Sequence, residues 1–177
     1  MSQYPWYDHI SGNEQLQQGD FIKDCQVVIP PQGLVSGQSV DIVIEQMDVI
    51  ILTQSCDLAN NKIEFVLVCP YFDLEEFISM VPVERRNTLK ARKKLVNDMK
   101  SGVMPAFHLL KNDDGPFAYV VDFRNVYGVH KQVLETLSTK PVMRRRLLPP
   151  YREHLSQSFA RYFMRVGLPQ DIEVEVR

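Results

Sequence analysis

No stretch of this chain approaches the roughly 20 uninterrupted apolar residues that a membrane-spanning helix needs, and its N-terminus, MSQYPWYDH, has neither the basic start nor the apolar run of a secretory signal. Both absences predict a cytosolic protein with no membrane partner. Cysteine is also scarce: Cys25, Cys56 and Cys69 are an odd number at irregular spacing, which suits reduced thiols better than a disulfide framework. A Walker loop, a GxGxxG and an HExxH are all missing, so the common nucleotide-binding and metalloprotease machineries are excluded. Neither an internal repeat nor a low-complexity tract is present.

What is there suits one domain. The 177 residues are 45% hydrophobic and 24% charged, enough for one sizeable core and a tight fit for two. The chain is organised around Asp48 to Tyr71, where Val49-Ile50-Ile51-Leu52 and Phe65-Val66-Leu67-Val68 flank the turn formers Asp57, Asn60 and Asn61. Short runs rich in β-branched and aromatic residues predict a strand hairpin, and near-continuous apolarity predicts cover on both faces.

On the N-terminal side, Tyr4, Pro5, Trp6 and Tyr7 form an aromatic arm, and the turn signal Gln18-Gly19-Asp20 leads into a first strand or strand pair stopped by Pro30 and Pro31. Residues 32–39 read as a loop, and Val40 to Glu45 alternates as a strand would. Beyond Pro70 the period changes. Asp73 with Glu75 and Glu76 marks a helix start, and Pro82 ends that helix near Val81. A second helix is predicted from Val83 to Lys100, with Leu89, Leu95, Val96 and Met99 inward, until Gly102 stops it. Two strands follow around 106–110 and 118–123, joined by the turn signal Asn112 to Pro116, then a short helix at Val133 to Leu137. The clearest helix, Tyr151 to Val166, is bracketed by Pro149 and Pro150 before it and by Gly167 and Pro169 after it. Leu155, Phe159, Tyr162, Phe163 and Val166 form its apolar face, and His154, Ser158, Arg161 and Arg165 a polar line.

Charge is unevenly spread. Arg85 to Lys100 holds seven Lys/Arg against Asp98, and Lys140 to Arg165 holds seven against Glu153, in a chain whose net charge is −2. Two basic segments in an otherwise acidic chain fit a surface for phosphate or for an acidic partner, provided the fold joins them. Arg144, Arg145, Arg146, Arg152, Arg161 and Arg165 are the phosphate or nucleic-acid candidates, because a guanidinium matches phosphate in a planar, bidentate fashion. The plain alternative is an ion-paired surface.

Cys56 follows a buried strand in Thr53-Gln54-Ser55-Cys56-Asp57, where folds commonly present reactive groups. As a nucleophile it would need His108 or His154 to lower its thiol pKa, with Asp57 beside it. Otherwise it packs as a small apolar residue. Zinc shared by Cys56, Cys69, His108 and His154 is disfavoured, since the hairpin puts Cys69 roughly 16 Å away at ~3.3 Å per residue while a zinc–sulfur bond spans ~2.3 Å. No metal or other cofactor is assigned.

Gly19-Asp20, the strand Val49 to Thr53 and the strand ending at Pro70 resemble motifs of the PemK/MazF family of small SH3-like barrels, over about residues 18–72. The resemblance implies an antiparallel barrel and kinship with toxin-antitoxin ribonucleases that cut RNA without metal. Met47 or Asp48 stands where that family has its catalytic arginine, and Tyr71 and Phe72 where its threonine lies, so cleavage by that route is not implied. More widely, Gln54 to Leu58 and Leu147 to Pro169 are similar to uncharacterised bacterial proteins.

The prediction is an α+β domain, an antiparallel SH3-like barrel or bent sheet with two or three packed helices including a C-terminal one. Its parts are an arm (1–17), a barrel core (18–72), a helical insertion (73–101), a second hairpin and connection (102–148), and a C-terminal helix and tail (149–177). The function predicted first is a bacterial cytosolic nucleic-acid-binding protein of toxin-antitoxin or phage-defence type, its partner RNA or DNA. A Cys56-His hydrolase or transferase is the first alternative. A non-catalytic subunit that docks a protein partner or a second copy of itself is the other.

Overall fold

The computed structural model describes residues 4–31, 33, 36–37, 39, 41–112, 118–140 and 142–164. Within them the elements are β1 (Tyr7–Ser11), β2 (Phe21–Ile29), β3 (Val43–Ile51), α1 (Ser55–Ala59), β4 (Phe65–Asp73), α2 (Leu74–Met80), a 3₁₀ turn (Val83–Arg85), α3 (Leu89–Lys100), β5 (Phe107–Lys111), β6 (Ala118–Asp122), β7 (Tyr127–His130), α4 (Lys131–Ser138), β8 (Met143–Leu147) and α5 (Tyr151–Phe163). The protein is α+β, and its sheets are antiparallel. No helix among the described residues is long and apolar enough to cross a membrane.

The two apolar runs pair as antiparallel strands, with Ile50 opposite Cys69 and Ile51 opposite Val68. A short helix, α1, joins them where sequence reasoning placed a turn. β4 then changes partner along its other edge: Phe65 to Val68 pair with β7, and Tyr71 to Asp73 pair with β6. The large sheet runs β2-β3-β4-β6-β5 with β7 beside β4. This corrects the barrel, for the sheet does not close. The start of β2 is turned instead to a separate β1–β8 ribbon, through the Asp20–Arg146 bridge and a Leu147 N–H donated to the Gly19 carbonyl at 2.9 Å. Gly19 has φ +83°, and a Cβ there would lie 2.9 Å from that of Leu147, so ribbon and sheet meet this closely only over glycine.

Strand alternation divides the core into two sides. Ile50, Cys69, Tyr71, Leu110 and Val121 pack with Tyr7, Leu147 and Leu155 under the ribbon and α5. On the other side Val49, Ile51, Val66 and Val68 pack with Leu58 of α1 and Leu134 of α4, and Val120 packs with Phe77, Leu95 and Met99 of α2 and α3. Val49, Ile50 and Ile51 are all fully buried, which is the two-sided cover predicted for that run. Each such side chain contributes about 1.5–3 kcal/mol of burial. The second run is covered on one side only, since Phe65 and Leu67 are exposed.

The helices follow their local signals. α2 begins after Asp73 and ends before Pro82. Thr88 accepts the Ala91 N–H at 3.1 Å and caps α3, which splits the predicted 83–100 helix and leaves Leu89 exposed in its first turn. Trp6 stacks on Tyr151 with ring centroids 3.7 Å apart, fixing the N-terminal arm to α5. Residue 40, the turn at 113–116 and residues 165–169 lie outside the described residues, and Arg165 and Val166 with them.

Candidate functional site

β8 reads Met-Arg-Arg-Arg-Leu, and a strand sends alternate side chains to opposite sides. Arg144 and Arg146 turn inward and are buried, as is Asp20. Both guanidiniums hold that one carboxylate: Arg144 Nε donates to Asp20 Oδ2 at 3.0 Å, and Arg146 donates through Nε to Oδ1 at 2.5 Å and through Nη2 to Oδ2 at 2.9 Å. The other N–H groups of Arg144 donate to the carbonyls of Ser11, Gly12, Glu14 and Gln15, so all five of its donors are used. Arg146 also donates to the Gln15 carbonyl. These two residues form a clamp on the segment 11–20. Arg146 Nη1 is directed at Glu14, 3.6 Å from its Oε2, so both residues, assigned from sequence to a phosphate surface, are buried and engaged within the chain.

Arg145 faces the other way, into a cleft of about 550 Å³ on the ribbon side. Its guanidinium carbon lies 5.1 Å from the Tyr7 ring centroid and 5.3 Å from that of Tyr119, and Nη1 donates to Tyr119 Oη at 2.8 Å. The buried rings of Phe21 and Tyr71 line the depth of the cleft, and the exposed His9, Lys23 and Lys140 line its mouth. Lys23 and Asp24 reach that position through a β-bulge, where pairing slips between Ile22 and Cys25. Asp24 adopts φ 55°, a left-handed conformation that aspartate tolerates better than most residues, and bulges commonly re-aim side chains beside functional sites.

A second cleft of about 290 Å³ shares Lys23, Asp24, Tyr71 and Tyr119 with the first and adds Asp48, Asp73 and Glu76. The lining therefore changes from basic to acidic across two tyrosines. Asp48 Oδ1 accepts the Asp24 N–H at 3.0 Å, and Oδ2 lies 3.4 Å from Tyr71 Oη. Burial first, then the Asp48 charge, holds the Tyr71 hydroxyl well above its ordinary range, so it serves as a neutral donor.

The Cys56 constellation is not assembled. Cys56 is exposed on α1, with its Sγ 3.7 Å from Gln54 Oε1 and 3.8 Å from Asp57 Oδ1, and Asp57 pairs with Lys62. α1 is anchored by Leu58 on the side of the sheet away from the ribbon. His108 and His154 belong to the ribbon side, where His108 stacks on Phe123. The neighbours of the thiol are Gln54 and Asp57, and no hydrogen bond links it to either histidine among the described residues. Burial, then His154, lowers the His108 pKa to about 4. Cys25 and Cys69 are buried, and burial raises their thiols to about 11 and about 12. No group of three or more His, Cys, Asp or Glu among the described residues is placed to hold a metal.

On α5, Arg152 pairs with Glu153 and Arg161 is exposed. The first basic segment, on α3, covers the side of the sheet opposite the ribbon. The two basic segments thus form no common surface among the described residues. Lys23, Asp48, Tyr71, Tyr119 and Lys140 were missed as a site, because strand register, the β2 bulge and the end of α4 bring them together from distant parts of the chain. The available signal was alternation: Gln46 and Asp48 on β3 and Tyr71 and Asp73 on β4 are polar or polar-tipped at every second position.

No family model matches the chain, and no curated protein matches it significantly.

Proposed function

We propose that this protein binds single-stranded nucleic acid in the ribbon-side cleft. The observation that carries the reading is Arg145, set among Tyr7, Phe21 and Tyr119 and flanked at the mouth by Lys23, Lys140 and His9. A cationic groove with aromatic rings suits a strand whose phosphates lie along the cations and whose bases stack. The resemblance to PemK/MazF barrels lends support: Met47, Asp48, Tyr71 and Phe72, at the places of that family's catalytic residues, all line the second cleft. None of them supplies a cation, so the proposal is binding, in a toxin-antitoxin or phage-defence setting, without cleavage by that family's route.

The test is fluorescence anisotropy with short single-stranded RNA and DNA at two salt concentrations, comparing the native chain with Lys23→Ala/Lys140→Ala. Both lysines are exposed, so the fold should tolerate the change. Affinity should fall with salt, and losing two phosphate contacts should reduce the slope of log affinity against log salt by about 1.4. Absent or salt-insensitive binding rules the reading out.

A further inference from the structure

We propose that the divide between the two clefts is a base-reading pocket selective for guanine. This rests on the nucleic-acid reading above and specifies what that site selects. The clefts adjoin, with Lys23, Asp24, Tyr71 and Tyr119 in both linings. A nucleotide whose phosphate sits by Lys23, Lys140 and Arg145 has its base directed past the tyrosines, because Asp48, Asp73 and Glu76 repel phosphate from the other end. Tyr71 is buried and stands edge-on to Tyr119 at 86°, so the half-buried Tyr119 ring is the one on which any base can stack. Selection falls to Asp48.

That carboxylate is held in place before any ligand arrives. The backbone of the bulge fixes Oδ1 through the Asp24 N–H at 3.0 Å, and Tyr71 Oη lies 3.4 Å from Oδ2. Each carboxylate oxygen has about two acceptor sites, so acceptor capacity is left on both for a ligand in the cleft. An ionised carboxylate only accepts, and its best partner is a base edge with two adjacent donors. Guanine alone provides one, in N1–H and the N2 amino group. Adenine and cytosine set an amino donor beside a ring acceptor, and uracil flanks its single N–H with two carbonyls. Each of these would set a lone pair against Asp48, and such repulsion is how a site rejects the wrong partner.

The experiment is calorimetric titration of the full chain with the 5′-monophosphates of guanosine, inosine, adenosine and uridine at low salt, repeated on Asp48→Asn. Guanosine monophosphate should bind roughly tenfold tighter than the adenosine and uridine compounds, with inosine, which lacks the 2-amino group, in between. Asp48→Asn should erase that preference and favour adenosine, because an amide offers the donor and acceptor that adenine matches. A merely structural Asp48 would weaken all four alike. Equal binding of the four by the native chain, still sensitive to Lys23→Ala/Lys140→Ala, overturns guanine selectivity and leaves nucleic-acid binding standing. Failure of every nucleotide and of the oligonucleotides overturns both.

Discussion

Arg144 and Arg146 on one side of β8, and Arg145 on the other, are chemically identical neighbours with opposite roles. The first two are consumed by Asp20 and by the carbonyls of residues 11–15. The third stands in a cleft against aromatic rings. A run of like charges is therefore no measure of a charged surface when the run lies on a strand, because a period of two assigns its members alternately to interior and exterior. The histidines His108 on β5 and His154 on α5 show a milder contrast, one half-buried and the other exposed.

The comparison breaks most sharply at Asp20. Asp20→Ala leaves two guanidiniums buried without their shared anion and should cost about 3–5 kcal/mol, measured by urea unfolding. A cost under about 1 kcal/mol would mean that the clamp does not hold the fold. Acid comes next. Because the His108 pKa is lowered from 6.5 to about 4, the unfolded chain binds the extra proton first. His108 thus contributes stability that is full above about pH 6.5 and is lost as pH falls towards 4, up to about 3 kcal/mol. His108→Gln should flatten that part of a pH–stability curve, and His154→Gln, which removes the second cause of the shift, should flatten it less.

Arg145→Ala should weaken single-stranded RNA binding roughly tenfold while costing only about 1 kcal/mol of stability, the size of a partly exposed cation–π contact. Equal losses from Arg145→Ala and Arg144→Ala in both assays would abolish the distinction between the two sides of β8. The smallest effect belongs to Arg161→Ala, exposed on α5, where stability should move by no more than about 0.5 kcal/mol and RNA affinity less than about twofold.

Much of the scaffold is legible in the amino-acid order because its signals are local. Prolines mark the end of α2 and the start of α5, Thr88 caps α3, and alternation marks the β5–β6 pair. β8 is hidden because Met-Arg-Arg-Arg-Leu looks like a solvated charge run, and its strand character comes from pairing with β1, Arg145 opposite His9. Asp20 is equally hidden, since Gly19-Asp20 has the form of any turn until Arg144 and Arg146 arrive. The cleft is the least legible part. It depends on the β4–β6 register, which sets Asp73 opposite Tyr119, and on a bulge that no local pattern announces. The surroundings of Cys56 are hidden for a related reason: a strand end shows that a thiol is presented, but not which side chains stand beside it.

The clamp also has a temporal meaning. Arg144 grips Ser11 from 133 positions away, so a chain emerging from the ribosome exposes its first strand long before the residues that secure it exist. The β2–β3–β4 hairpins can form during translation, but β1 must wait for β8, which favours late closure and a slow final step. A nascent chain halted before Met143 would carry the whole large sheet with an unpaired leading strand, open to chaperones and proteases.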